Sequence, residues 1–199
     1  MSLGKRGRPR KTTKAQIVHN ALSIYWQEGL LARSLNDICR KLEVSKPGIY
    51  REFGGEDGLL AECLKLYAEG INQQFDKIMA KDLPFQMQLG KFIDSIFKLH
   101  ASYPQGCLLM QARRHQKLLG RQSLEVLYTK EASVYQKTLS WVQHAADQGK
   151  IPPDVSIEAA TRLILAQIGE VHSGLSAGLP ISLVRGVTDL SLHALSEPV

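Results

Sequence analysis

The segment Val44 to Phe53, VSKPGIYREF, decides how this chain folds. Pro47 and Gly48 stand side by side, a pair that ordinarily marks a turn, yet the residues around them keep helical spacing. Ser45 suits an N-cap, and proline is tolerated in a first helical turn because its missing N–H would have no intrahelical acceptor. Lys46 is the other candidate for the cap, since a residue before proline avoids helical angles. Ile49 and Phe53 lie four apart on one face and can bury together. That leaves Lys46, Pro47, Gly48, Arg51 and Glu52 toward solvent, with Tyr50 at the margin. The Pro-Gly pair opens a helix rather than ending one.

The flanking sequence gives that helix its context. From Thr13 the pattern is helical, with Ile17, Ala21, Leu22, Ile24, Tyr25 and Trp26 forming a broad apolar face that stops at Gly29. Ser34 then caps a second, short helix carrying Leu35, Ile38, Cys39 and Leu42, too short to stand alone. A tight connection at Leu42-Glu43-Val44 joins it to the Lys46 helix. Two short helices across such a turn, the second with a basic N-terminus, make a helix-turn-helix. The second helix of that arrangement fits the major groove, and its N-terminal residues meet base edges and phosphates. Candidate roles follow from side-chain chemistry: the Pro47 ring against a thymine methyl, Arg51 to guanine, Glu52 accepting from cytosine.

Downstream every periodic segment reads as helix, and no stretch alternates as a strand would, so the class is all-α with about nine helices. The spacing predicts helices over Glu56 to about Ala80, Phe85 to Ser102, Cys107 to Leu119, Arg121 to Gly149, about Ser156 to Ala177, and roughly Ser182 to Leu195. In the Arg121 helix, Tyr128, Ala132, Tyr135, Leu139, Val142 and Ala146 are expected to form the buried face. In the Ser156 helix, Ile157, Ala160, Ile164, Ile168, Val171 and Leu175 are core, flanked by a stripe of small residues at Ala166, Gly169, Ser173 and Ala177. The expected organisation is a basic arm at 1–12, a helix-turn-helix DNA-binding domain at 13–56, and a ligand-binding and dimerisation domain at 57–199.

Charge supports the division. The net charge is +6, and residues 1–54 hold eleven Lys/Arg against four Asp/Glu while the rest hold fourteen against fifteen. An excess of cations confined to one small segment marks a polyanion partner, most often nucleic acid. Cys39, Cys63 and Cys107 are too few and too scattered for a disulfide framework or a zinc knuckle, and no two histidines share i, i+3 or i, i+4 spacing. No metal or cofactor is expected. No run approaches the roughly 18 apolar residues of a membrane span and no secretory segment opens the chain, so a cytoplasmic protein is expected.

The residues Asp37-Ile38, Val44-Ser45, Ile49-Tyr50, Phe53 and Asp57-x-Leu59-Leu60 give Thr13 to about Leu66 a close resemblance to the DNA-binding domain of TetR-family transcriptional repressors. The resemblance implies a homodimer on a pseudo-palindromic operator, released by a small-molecule inducer held in a variable C-terminal domain. It places Ser34, Lys46 and Tyr50 at phosphate contacts and Pro47 and Gly48 at base contacts. This sequence departs from the pattern twice, with Glu43 where the turn often has glycine and Glu56 where a phosphate-binding lysine is common. Arg6 to Arg10, RGRPR, resembles an AT-hook core, which makes Arg8 and Arg10 candidates for an A·T minor groove. The DNA-binding candidates are therefore Arg8, Arg10, Ser34, Ser45, Lys46, Pro47, Gly48, Tyr50 and Arg51.

In the C-terminal half, Pro104-x-Gly106-Cys107-Leu108-Leu109 resembles the opening of the sixth helix in one branch of the family. Candidate pocket residues are His100, Tyr103, Cys107, Met110, Trp141, His144 and Gln167, polar or aromatic side chains on apolar helices. The resemblance puts the dimer interface on the last two helices, with candidates Ile164, Ala166, Gly169, Ser173, Ala177, Val187 and Leu190. Cys107 at a helix start is open to two readings, a redox-sensing thiol or a buried structural one. An enzyme is not expected, because no oxyanion site or orienting acid accompanies Cys107 and the nearby histidines. A sequence-nonspecific architectural DNA binder acting through the arm stays open as the rival.

Overall fold

The computed structural model describes residues 12–81, 83–102 and 106–196. Within them the chain forms nine α-helices: α1 (Lys14–Glu28), α2 (Leu35–Lys41), α3 (Lys46–Phe53), α4 (Glu56–Met79), α5 (Phe85–Ser102), α6 (Leu108–Arg114), α7 (Arg121–Asp147), α8 (Ile157–Ser176) and α9 (Ile181–Leu192). There is no strand among the described residues. No helix there is long and apolar enough to cross a membrane.

The local signals at the N-terminal end act as physical chemistry requires. Thr13 and Gln16 form a reciprocal capping box at the start of α1, and Ser34 and Ser45 cap α2 and α3 by accepting from Asp37 and Gly48 amides. Ser45, not Lys46, is the cap of α3, with Pro47 inside the first turn. Ile49 and Phe53 are buried, each contributing about 1.5–3 kcal/mol by leaving water. The Glu28 carboxylate at the end of α1 accepts from Arg33 and Lys41, tying α1 to α2.

The turn between α2 and α3 is a Schellman closure built without glycine. The Val44 amide donates to the Cys39 carbonyl at 3.0 Å and the Glu43 amide to the Arg40 carbonyl at 3.3 Å, the paired bonds of that motif. Glu43 takes the left-handed position with φ 53°, the one non-glycine residue with positive φ among those described. The side chain has to be carried in a conformation that crowds its Cβ.

Two cores result. The first gathers Ile17, Ala21, Leu22 and Tyr25 of α1 with Leu35, Ile38, Ile49 and Phe53, then continues through the first half of α4 into Leu108 and Ala112 of α6 and Leu127 of α7. The second joins Phe75, Phe85, Ile93 and Phe97 to Trp141, Val142, Ile164, Val171, Leu175, Val184 and Leu192. Helices α4 and α7 pack along one another and so belong to both. The joint between α3 and α4 is close enough that a Cβ on Gly58 would stand 1.7 Å from the Phe53 carbonyl oxygen, which admits no larger residue.

Three expectations change. The segment 108–119 is not one helix: α6 ends at Arg114 and a short 3-10 turn, Gln116–Leu118, follows. The buried face of α7 is Ser123, Val126, Leu127, Thr138, Trp141, Val142 and Ala145; Tyr128 and Ala132 are exposed, and Tyr135, Leu139 and Ala146 are partly so. The reason lies in what surrounds Tyr128, whose hydroxyl donates to Gln116 and whose ring carries the Arg113 guanidinium at 5.6 Å. Ile164 is wholly enclosed by its own chain and has no surface to offer another copy.

Glu43→Gly is expected to raise stability by about 0.5–1 kcal/mol and the melting midpoint by roughly 2–4 °C. Glu43→Ala removes the charge and keeps the Cβ, so it should give no comparable gain. Equal midpoints for the two variants in a thermal melt would count against strain at this turn.

Candidate nucleic-acid interface

Lys46, Pro47 and Tyr50 project from the N-terminal half of α3 into solvent, with Gly48 half-buried between them, and Tyr50 is 53% exposed. The helix itself is held from behind by Ile49 and Phe53 and from the side by Lys14, whose ammonium lies 5.2 Å from the Phe53 ring centre. A rigid helix end at the positive pole of its dipole, with an exposed cation, can receive a phosphate and reach a base edge. Arg51 is turned aside to Glu52, 3.2 Å away, so both side chains are engaged with each other. The Ser34 hydroxyl is exposed, donating to Asp37 at 2.6 Å and accepting from the Asp37 amide. Arg8 and Arg10 fall outside the described residues.

Glu56, the first residue of α4, stands within the field of Lys46. Partial burial pushes its carboxyl up from the usual range while the Lys46 ammonium pulls the other way. The carboxylate and the phosphate-ready cation therefore share one corner of the surface.

The pocket candidates divide into two places. His100, Cys107 and Met110 surround the segment that opens α6, together with Tyr67 of α4 and His172 and Ser176 of α8, which sequence reasoning missed. Gly106 passes so near that a Cβ there would stand 3.1 Å from Ser176 Oγ and 3.7 Å from both His100 and His172. The His172 Nδ1 is buried without a hydrogen-bond partner, and the buried Tyr67 hydroxyl lies against the Cys107 thiol. Burial pushes the Cys107 thiol up, with the Tyr67 hydroxyl and the Met110 and Leu109 amides working the other way, so it remains a protonated thiol at neutral pH. Gln167 carries a buried, unpartnered Oε1 on the same helix as His172. Tyr103 lies outside the described residues.

Trp141 and His144 lie elsewhere, in an open groove of about 440 Å³ with Phe75, Phe85 and Gln88, where the Trp141 indole donates to Gln88 Oε1 at 2.8 Å. No group of three metal-ligating side chains is found among the described residues.

The interior cluster is wired to the helix-turn-helix. The Trp26 indole of α1 donates to the Gly106 carbonyl at 2.8 Å, and the Leu30 amide donates to the buried Gln111 Oε1 of α6 at 3.2 Å. Trp26 also meets Tyr67 edge to face at 4.9 Å.

A helix-turn-helix on an all-helical body defines the class. Residues 17–63, the span from within α1 into α4, match the pattern of the family described as bacterial regulatory proteins, tetR family. The HTH-type transcriptional repressor ComR of Escherichia coli (strain K12) is 24% identical over 108 residues, 53% of this chain and 51% of that protein, so the match spans about half the length of that relative. Among solved structures, a cysteine mutant of the TetR family transcriptional regulator CifR in complex with 26bp double-strand operator DNA superposes with TM-score 0.77 at 18% identity, covering 94% of this chain and 99% of that one. Regulatory protein TetR from Rhodobacter sphaeroides gives TM-score 0.76 at 14% identity over 89% of this chain and 96% of that one.

Burial, then the nearby His100, pull the His172 imidazole down to about 4 from an ordinary 6.5. Because the unfolded chain takes the proton first, stability from this group is complete above about pH 6.5 and is lost as pH falls toward 4, by roughly 3 kcal/mol in full. Melting midpoints across that window should drop for the parent and drop less for His172→Asn. Parallel curves would show that His172 is not the group responsible.

Proposed function

We propose that the chain is a transcriptional repressor that occupies a pseudo-palindromic operator as a homodimer and releases it when a small molecule enters the C-terminal half. The observation that carries this reading is the N-terminus of α3: Ser45-capped, fixed by Ile49 and Phe53, with Lys46, Pro47, Gly48 and Tyr50 outward. CifR, of the same fold, is bound to operator DNA, and ComR is a repressor. Residues 13–56 form the DNA-binding domain and 57–199 the ligand-binding and dimerisation domain, with α4 running between them. Duplex DNA as partner puts the protein in the cytoplasm. The function is binding, without catalysis, and a protonated, enclosed Cys107 supports that view.

The dimer forms through α8 and α9. Ala166, Ser173 and Ala177 line the outer side of α8, with Gly169 partly exposed, while Ile181, Leu183, Val187 and Leu190 are exposed on α9. Small residues on one helix beside large apolar ones on the next suit a self-complementary face across a two-fold axis. That axis sets the two α3 helices about one DNA turn apart.

The inducer binds around Gly106, where the buried His172 Nδ1 lacks a partner. That buried, unpartnered nitrogen suits a ligand with a hydrogen-bonding group. It acts through differential affinity: entry that displaces the opening of α6 strains the Trp26–Gly106 and Leu30–Gln111 bonds and favours the released geometry.

Titration on a duplex selected from fragments of the source genome tests the docking. Tyr50→Ala and Lys46→Ala should each weaken binding about tenfold, roughly 1.4 kcal/mol. The lysine change alone should also lower the salt dependence by about 0.9 per lost phosphate contact. Parent-like binding by both variants would overturn the assignment of α3 as the DNA-reading helix.

A further inference from the structure

We propose that the turn between α6 and α7 is a second DNA-backbone surface, in which Arg121 and Lys117 hold phosphates flanking the major-groove site; it rests on the reading of α3 as the DNA-reading helix. Residues 113–121 carry Arg113, Arg114, Lys117 and Arg121 with no carboxylate, the densest run of cations beyond the first quarter of the chain. Arg113 is occupied, paired with Glu131 at 3.4 Å and laid over Tyr128. Arg114, Lys117 and Arg121 are exposed and form no ion pair among the described residues.

The placement of this turn follows from Asp57. Its carboxylate accepts from the Gln122 amide at 2.8 Å and the Ser123 amide at 3.1 Å, which holds the first turn of α7 against the first turn of α4. A Cβ on Gly120 would be 2.3 Å from the Asp57 carboxyl carbon, so only glycine lets the two segments come this close. The Gln122 side chain then reaches the end of α3: its amide nitrogen is 3.8 Å from where a Gly54 Cβ would be. The neighbouring Gly55 lies against the Tyr50 ring, 3.3 Å from the equivalent position. Gln122 and Arg121 are thus exposed beside Gly54 at the end of α3, with Gly55 buried against the Tyr50 ring.

An α-helix of eight residues is about 12 Å long, close to the width of the major groove. Side chains just beyond its C-terminal end face the groove wall, where phosphates run. One further fact favours a phosphate partner. Glu56, beside Lys46, repels phosphate at the start of α4, and Arg121 adjoins Gln122, whose amide donates to the neighbouring Asp57, so a cation stands by that acid to compensate.

The test is a binding titration of the full chain between about 50 and 200 mM salt, on the selected operator duplex and on a random-sequence duplex of equal length. Parent, Lys117→Gln/Arg121→Gln, Lys46→Ala and the distant exposed Lys91→Gln are compared. The double variant should lose affinity on both duplexes by a similar factor, leaving their ratio unchanged. Its salt slope should be shallower by about 0.9 per phosphate released, about 3.6 for a dimer that loses four. An unaltered slope with Lys46→Ala still effective would overturn the proposal and leave the role of α3 standing. A change of equal size from Lys91→Gln would also overturn it, since net charge would then suffice. No effect from Lys46→Ala would remove the α3 reading on which this one rests.

Discussion

The Asp57 carboxylate is the contact on which the rest of the arrangement hangs. Helix α7 begins at Gly120, which has no side chain to cap it, so its first amides would otherwise look to solvent. Asp57 caps it from another helix, accepting from Gln122, Ser123 and the Ser123 hydroxyl. Hydrogen bonds to a charged acceptor contribute about 1.5–3 kcal/mol each. Since the same residue lies one step from Gly58, where α4 meets the Phe53 carbonyl, the direction of α3 is set by the position of α7. The helix-turn-helix is therefore not an independent unit hung from a linker.

A second set of ties reaches the module from the other side. Trp26 and Leu30, at the end of α1 and just after it, are bonded to Gly106 and Gln111 around α6. Helix α6 spans only seven residues and is followed by a 3-10 turn, so little of its own structure resists a shift. One side of the module is clamped by a charged cap and the other by two neutral hydrogen bonds to a short helix.

What was legible in the sequence is what is decided locally. Ser34, Ser45 and Pro47 announce their helix starts because capping involves residues three apart, and Glu43 stands out in its turn because a left-handed position there favours glycine. The face of α7 was misjudged because Tyr128 and Ala132 fit the apolar period, while their exposure depends on Arg113 and Gln116 from another segment. The break after Arg114 has neither proline nor glycine to signal it. The interior cluster escaped for the same reason: Tyr67, His100, Gly106 and His172 come from widely separated segments, and nothing in one stretch relates them. The charge on residues 113–121 was hidden by averaging, since a near-neutral remainder of the chain conceals one positive turn inside it.

The unpartnered His172 Nδ1 near Gly106 is the point at which a hydrogen-bonding guest would gain most. A buried donor or acceptor without a partner costs about 1–3 kcal/mol, which such a guest would recover. Trp26 already donates to the Gly106 carbonyl, and a Cβ on Gly106 would meet Ser176 Oγ at 3.1 Å. A guest at His172 would therefore sit close against the Gly106 backbone, whose carbonyl is the acceptor that holds α1.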